Sequence, residues 1–119
     1  MPFTSDFLAA VRAHALGLPE TSEGPSCVNR AFKARKKNFL FLGEKPDGAC
    51  RFMVKLGPSL AEAEALAAAQ VGKSGWVTVL FPSNVAPMEV ERAVAWVRES
   101  FGLLAPKPLS RQLEGGSPT

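Results

Sequence analysis

Five cationic side chains, Arg30, Lys33, Arg35, Lys36 and Lys37, fall within eight residues of this 119-residue chain, interleaved with Phe32 and followed by Phe39. Cations at this density neutralise phosphates and release the counterions held there, and a hairpin that carries them can enter a nucleic-acid groove. The same spacing also suits a solvated strand edge guarded against aggregation by lysine and arginine. The charge is concentrated here. Between Asn29 and Leu56 eight Lys/Arg face two acids, a net +6, whereas the rest of the chain carries six against nine, a net −3. A positive segment on a mildly acidic body draws anions to one place.

Other chemistry finds less support. A Ser or Cys nucleophile needs a base within hydrogen-bond reach, and no spacing pairs Cys27 with His14, the single histidine, which reads as a surface residue. Gly72-Lys73-Ser74 resembles the end of a phosphate-binding loop, but Ala67 and Ala68 stand where the earlier glycine is required. Cys27 and Cys50 fit no metal-ligand spacing, and no cluster of His, Cys or acids suggests a metal or cofactor. Glu20 and Glu23 are the carboxylates to watch, since they occupy a loop rather than a helix cap. No reaction is assigned, and no catalytic residue is expected.

These residues must be positioned by a small fold. The length sets one domain, with a core large enough to need no metal or disulfide. The spacing predicts a helix over 5–16, capped by Thr4 or Ser5, with Phe7, Leu8, Val11 and Ala15 facing inward. Two prolines and a glycine make 18–26 a loop. Ala31-Phe32 is a short strand candidate. Simple alternation over 37–42 places Phe39 and Phe41 on one face and Leu40 and Leu42 on the other, and divides Lys33, Arg35 and Lys37 from Lys36. Pro46-Asp47-Gly48 is a turn, and 51–56 alternates with Phe52, Val54 and Leu56 inward. Ser59 and Glu62 have capping-box spacing at the head of an alanine-rich helix reaching towards Gln70. Trp76 to Phe81 is the clearest strand, and Val90, Ala93, Val94, Val97, Phe101 and Leu104 mark the strongest helix. The expected architecture is α+β, an antiparallel sheet packed on one face by the N- and C-terminal helices. A single domain should fill 1–107 and a flexible tail 108–119. The absence of a leader pattern and of a long apolar run predicts a cytoplasmic location with free thiols.

Five segments in order carry a family resemblance. Leu18-Pro19-Glu20-Thr21-Ser22-Glu23 resembles the LP-x-x-x-E loop of the MmcQ/YjbR-like proteins, and Lys36-Lys37-Asn38-Phe39-Leu40-Phe41-Leu42 their gK-x-F strand. Val54-Lys55-Leu56, Gly75-Trp76-Val77-Thr78-Val79 and Glu99-Ser100-Phe101-Gly102-Leu103-Leu104 match later strands and the final helix end. The chain departs from the pattern at Gly75, where the family often has His or Lys, and at Phe101, where tyrosine is common. The resemblance covers Phe3 to Lys107. It implies a CyaY-like (frataxin-like) fold and a DNA-binding role.

The functional expectation is thus a DNA-binding protein that contacts phosphates through Arg30, Lys33, Arg35, Lys36 and Lys37. The alternative is a non-enzymatic module for a protein or small ligand, with an apolar pocket near Trp76 and Phe39. Glu20, Glu23, Lys55, Trp76 and Ser100 are the pocket candidates.

Overall fold

The computed structural model describes residues 3, 5–26, 29–72, 74–82, 85 and 87–108. The element order is α1 (Asp6–Leu16), β1 (Thr21–Ser26), β2 (Asn29–Ala34), β3 (Lys37–Glu44), β4 (Cys50–Lys55), α2 (Leu60–Glu64), β5 (Ala69–Val71), β6 (Trp76–Phe81) and α3 (Pro87–Leu104). The six strands form one sheet in the order β1-β2-β3-β4-β6-β5, every neighbouring pair antiparallel. The fold is α+β, with the terminal helices packed on one face. The tail expected at 108–119 lies, but for Pro108, outside the described residues, as does Cys27.

The helices follow their apolar spacing. Ser5 caps α1 by accepting the Leu8 N–H at 3.3 Å, and Phe7, Leu8, Val11 and Ala15 are buried. From α3, Ala93, Trp96, Val97 and Phe101 enter the same core. The sheet meets them with Phe32, Leu40, Leu42, Phe52, Val54, Val77 and Val79, all essentially without exposure. Strand β4 alternates as its sequence demands, Phe52 and Val54 inward and Arg51, Met53 and Lys55 half-exposed on the other face. The β3–β4 turn also forms as expected: Asp47 accepts the Ala49 N–H at 2.9 Å, and Gly48 takes φ +90°.

Four expectations are corrected. The loop expected over 18–26 contains β1, an edge strand, which is where Pro25 can sit without interrupting a ladder on both sides. The alanine-rich helix stops at Glu64, and β5 follows, pairing Ala69 with Val79 and Val71 with Val77. Ser59 and Glu62 make no capping box. Ser59 instead meets Glu99, and Glu62 accepts from Trp96 Nε1 at 3.4 Å.

The fourth correction changes the faces. The β2–β3 register slips between Phe32 and Lys33: Phe32 pairs with Leu40 but Lys33 with Asn38, so Phe39 is the extra residue of a β-bulge. Phe39 and Leu40 are both fully buried, and Phe39 stacks edge-on against Phe101 with centroids 5.2 Å apart. Phe41 therefore lies opposite to Phe39, on the face that no described helix covers, 5.7 Å from Trp76.

Candidate functional site

The cationic cluster is built around the two-residue turn Arg35-Lys36, which joins β2 to β3 between the paired Ala34 and Lys37. Arg35 takes φ +57°, a conformation usually left to glycine at the first position of such a hairpin turn. Glu20, itself at φ +49°, holds it there. The Arg35 amide donates to the Glu20 carbonyl at 3.2 Å, and its guanidinium donates to both carboxylate oxygens at 2.9 Å. The hydrogen bond from Arg35 keeps Glu20 below the ordinary carboxylate range, and Glu20 raises Arg35 in return.

Arg30 is also engaged. Its Nε donates to Glu23 Oε2 at 2.9 Å, while Arg12 of α1 donates to Glu23 Oε1 at the same distance. The Glu23 side chain is 8% exposed. Burial pushes its pKa up, but hydrogen bonds from Arg12 and Arg30 and their charges outweigh that and leave it lowered. Glu23 thus ties the edge strand β1 and its neighbour β2 to α1.

Lys33, Lys36 and Lys37 are exposed and form no ion pair among the described residues. The turn and the bulge also change how the cluster divides. Lys33 shares its register position with Asn38 and Lys37 shares one with Ala34, so Lys33 and Lys37 lie on opposite faces rather than together. Of the five side chains expected to contact phosphate, two already serve carboxylates and three have no ion pair among the described residues.

The pocket candidates fall into two groups. Glu20 and Glu23 make the arginine pairs beside β1. Lys55, Trp76 and Ser100 gather three strands away, about 14 Å at ordinary strand spacing. There Lys55 pairs with Trp76, and the Lys55 N–H donates to Ser100 Oγ at 3.0 Å. The fully buried Ser100 hydroxyl donates in turn to the carbonyl of the bulged Phe39 at 2.6 Å. Ser100 therefore binds α3 to the bulged residue of β3 and to β4 one residue past the Leu40–Val54 pair. Phe39 and Trp76, expected around one apolar pocket, stand on opposite faces of the sheet. Gly75, where the resembling proteins often carry a larger residue, has φ +87°, and a β-carbon there would lie 3.0 Å from the Leu56 carbonyl oxygen.

Three groups take environments that the sequence did not assign to them. Glu99 accepts the Gly57 and Ser59 N–H groups at 2.8 and 3.1 Å and the Ser59 hydroxyl at 2.7 Å, anchoring the chain as it leaves β4. Burial raises its pKa, but these bonds prevail and lower it. His14 is half-buried rather than a surface residue. Its Nε2 finds no partner among the described residues, and burial followed by the charge of Arg98 lowers its pKa. Cys50 is a buried free thiol that donates to Ser5 Oγ at 3.3 Å, its pKa raised by burial, lowered by that bond and raised by Glu44. The S-x-x-E reading of Ser59 came near the first of these but chose the wrong glutamate, and the expectation of free thiols holds for Cys50.

Among the described residues no three His, Cys, Asp or Glu side chains come together as metal ligands would, and no helix is long and apolar enough to cross a membrane. No protein-family model matches this chain, and no curated protein matches it.

Proposed function

We propose that this is a DNA-binding protein of MmcQ/YjbR-like character that contacts phosphates through the β2–β3 turn. The observation that carries the reading is the contrast within the cluster. Arg30 and Arg35 are held by carboxylates, whereas Lys33, Lys36 and Lys37 stand exposed without an ion pair among the described residues. A short turn held by Glu20 presents its lysines at low ordering cost, and lysines without a carboxylate partner need not exchange one anion for another. Lys36 and Lys37 carry the main contact, and Lys33 extends it onto the sheet. Arg30 and Arg35 position the turn and its edge strand. The paired strands supply a rigid support, and the sequence-independent charge contact predicts strong salt dependence.

Fluorescence anisotropy with labelled duplex DNA tests this reading. Binding at low salt should weaken as salt rises, with log K falling by about 0.9 per phosphate contact per log unit of salt. Changing Lys33, Lys36 and Lys37 together to Ala should remove most of the binding. Undiminished binding by that variant would refute the assignment.

A further inference from the structure

The face of the sheet that no described helix covers has a composition of its own. Its positions follow from the register: Ser22, Gly24 and Ser26 on β1; Asn29, Ala31 and Lys33 on β2; Asn38, Phe41 and Gly43 on β3; Arg51, Met53 and Lys55 on β4; Gln70 on β5; and Trp76, Thr78 and Leu80 on β6. None of these is Asp or Glu, and three are cations. Phe41 and Trp76 meet across β4 with centroids 5.7 Å apart and rings tilted by 57°. Both remain half-exposed, and Leu80 beyond them is 41% exposed. Lys33 and Lys55 stand on the strands to either side of β3, which carries Phe41, and neither side chain has an ion pair among the described residues. Arg51 is directed by Asn29, whose Oδ1 accepts from its Nη1 at 3.2 Å. Asn29 reaches it over Gly43, where a side chain would collide with Asn29 Oδ1.

Aromatic faces with interleaved cations and no carboxylate match the chemistry of an unpaired polynucleotide. Bases stack on the rings without regard to sequence, and the cations follow the backbone. A duplex hides its base faces and has no use for such rings. We therefore infer that the open sheet face binds single-stranded DNA, with bases on Trp76 and Phe41 and phosphates near Lys33, Lys55 and Arg51. This rests on the proposed DNA contact and names the strandedness of the nucleic acid. Lys33 belongs to both surfaces, so a strand held at the turn continues onto the open face.

Titration of labelled oligo(dT) and of labelled duplex, each followed by anisotropy, tests the inference. In the unmodified protein, oligo(dT) should bind at low salt and quench tryptophan fluorescence, because Trp76 is half-exposed while Trp96 is only 3% exposed. Trp76→Ala should weaken oligo(dT) binding roughly tenfold or more and leave duplex binding as it was. Trp76→Phe, which keeps a ring, should retain most of the affinity. Lys55→Ala, a substitution that spares the aromatic pair, should weaken oligo(dT) binding and flatten its salt dependence. Oligo(dT) binding without quenching, or with unchanged affinity in both Trp76→Ala and Lys55→Ala, would overturn the inference while leaving the turn contact standing. Failure of both DNAs to bind at low salt would overturn the turn contact as well.

Discussion

The two faces of the sheet both carry aromatic side chains and put them to different uses. On the covered face, Phe32, Leu40, Phe52, Val54, Val77 and Val79 lie under α1 and α3 and are almost wholly sealed from water. On the open face, Phe41, Met53 and Trp76 keep part of their surface, and the positions around them are cationic or small and polar. Hydrophobicity alone does not distinguish Phe39, which is core, from Phe41, which is not. The bulge does, by adding one residue to β3 and turning Phe39 towards α3. The ionic groups divide in a parallel way. Arginines 12, 30 and 35 are committed to Glu20 and Glu23, while Lys33, Lys36 and Lys37 form no ion pair among the described residues.

The comparison breaks most visibly under core truncation. Phe52→Ala should cost about 3–5 kcal/mol, whereas Met53→Ala, one residue on and facing the other way, should cost under about 1 kcal/mol in chemical denaturation. Equal losses would mean that the open face is packed as a second core. Next comes Ser100→Ala, which strands the Phe39 carbonyl and the Lys55 N–H. A loss of about 1–3 kcal/mol is expected, and Ser100→Thr, which keeps the hydroxyl, should recover part of it.

The pH dependence follows from His14 and from carboxylates such as Glu23, groups of opposite chemistry. His14 has its folded pKa lowered from the ordinary 6.5, so the unfolded chain takes up its proton first, and stability falls as pH drops through 6.5. Glu23 has its folded pKa lowered from 4.5, so its contribution is present above 4.5 and is lost as pH falls below that value. Thermal melts should therefore show two separate declines, and His14→Gln should remove only the upper one. The smallest effect is expected at Arg35→Gly. Glycine relieves left-handed strain but gives up an exposed, solvent-screened ion pair, so the net change should be small and stabilising.

Much of the fold was legible in the residues. The alternation of β4, the Pro46-Asp47-Gly48 turn, the cap at Ser5 and the apolar stripe of α3 are local signals, and the chain obeys them. The failures share a cause, since each depends on a partner outside the segment itself. Thr21–Ser26 becomes a strand because β2 pairs with it, and Ala69–Val71 because β6 does, despite an alanine run that favours helix. The bulge answers to Phe101 and to Ser100, 61 residues from the carbonyl it binds. The basic cluster was visible as charge. Its division was not, because the carboxylates that engage Arg30 and Arg35 lie 7 and 15 residues away and meet them only once β1 folds against β2.

Duplex-DNA anisotropy of the unmodified protein against the Lys33→Ala, Lys36→Ala, Lys37→Ala triple variant, each at several salt concentrations, tests the central claim most directly. The account predicts salt-sensitive binding by the unmodified protein and a slope of log K against log salt reduced by about 2–3 in the variant, or about 0.9 for each lysine lost. Equal affinity and equal slope in the two proteins, or no binding by either at low salt, would contradict it.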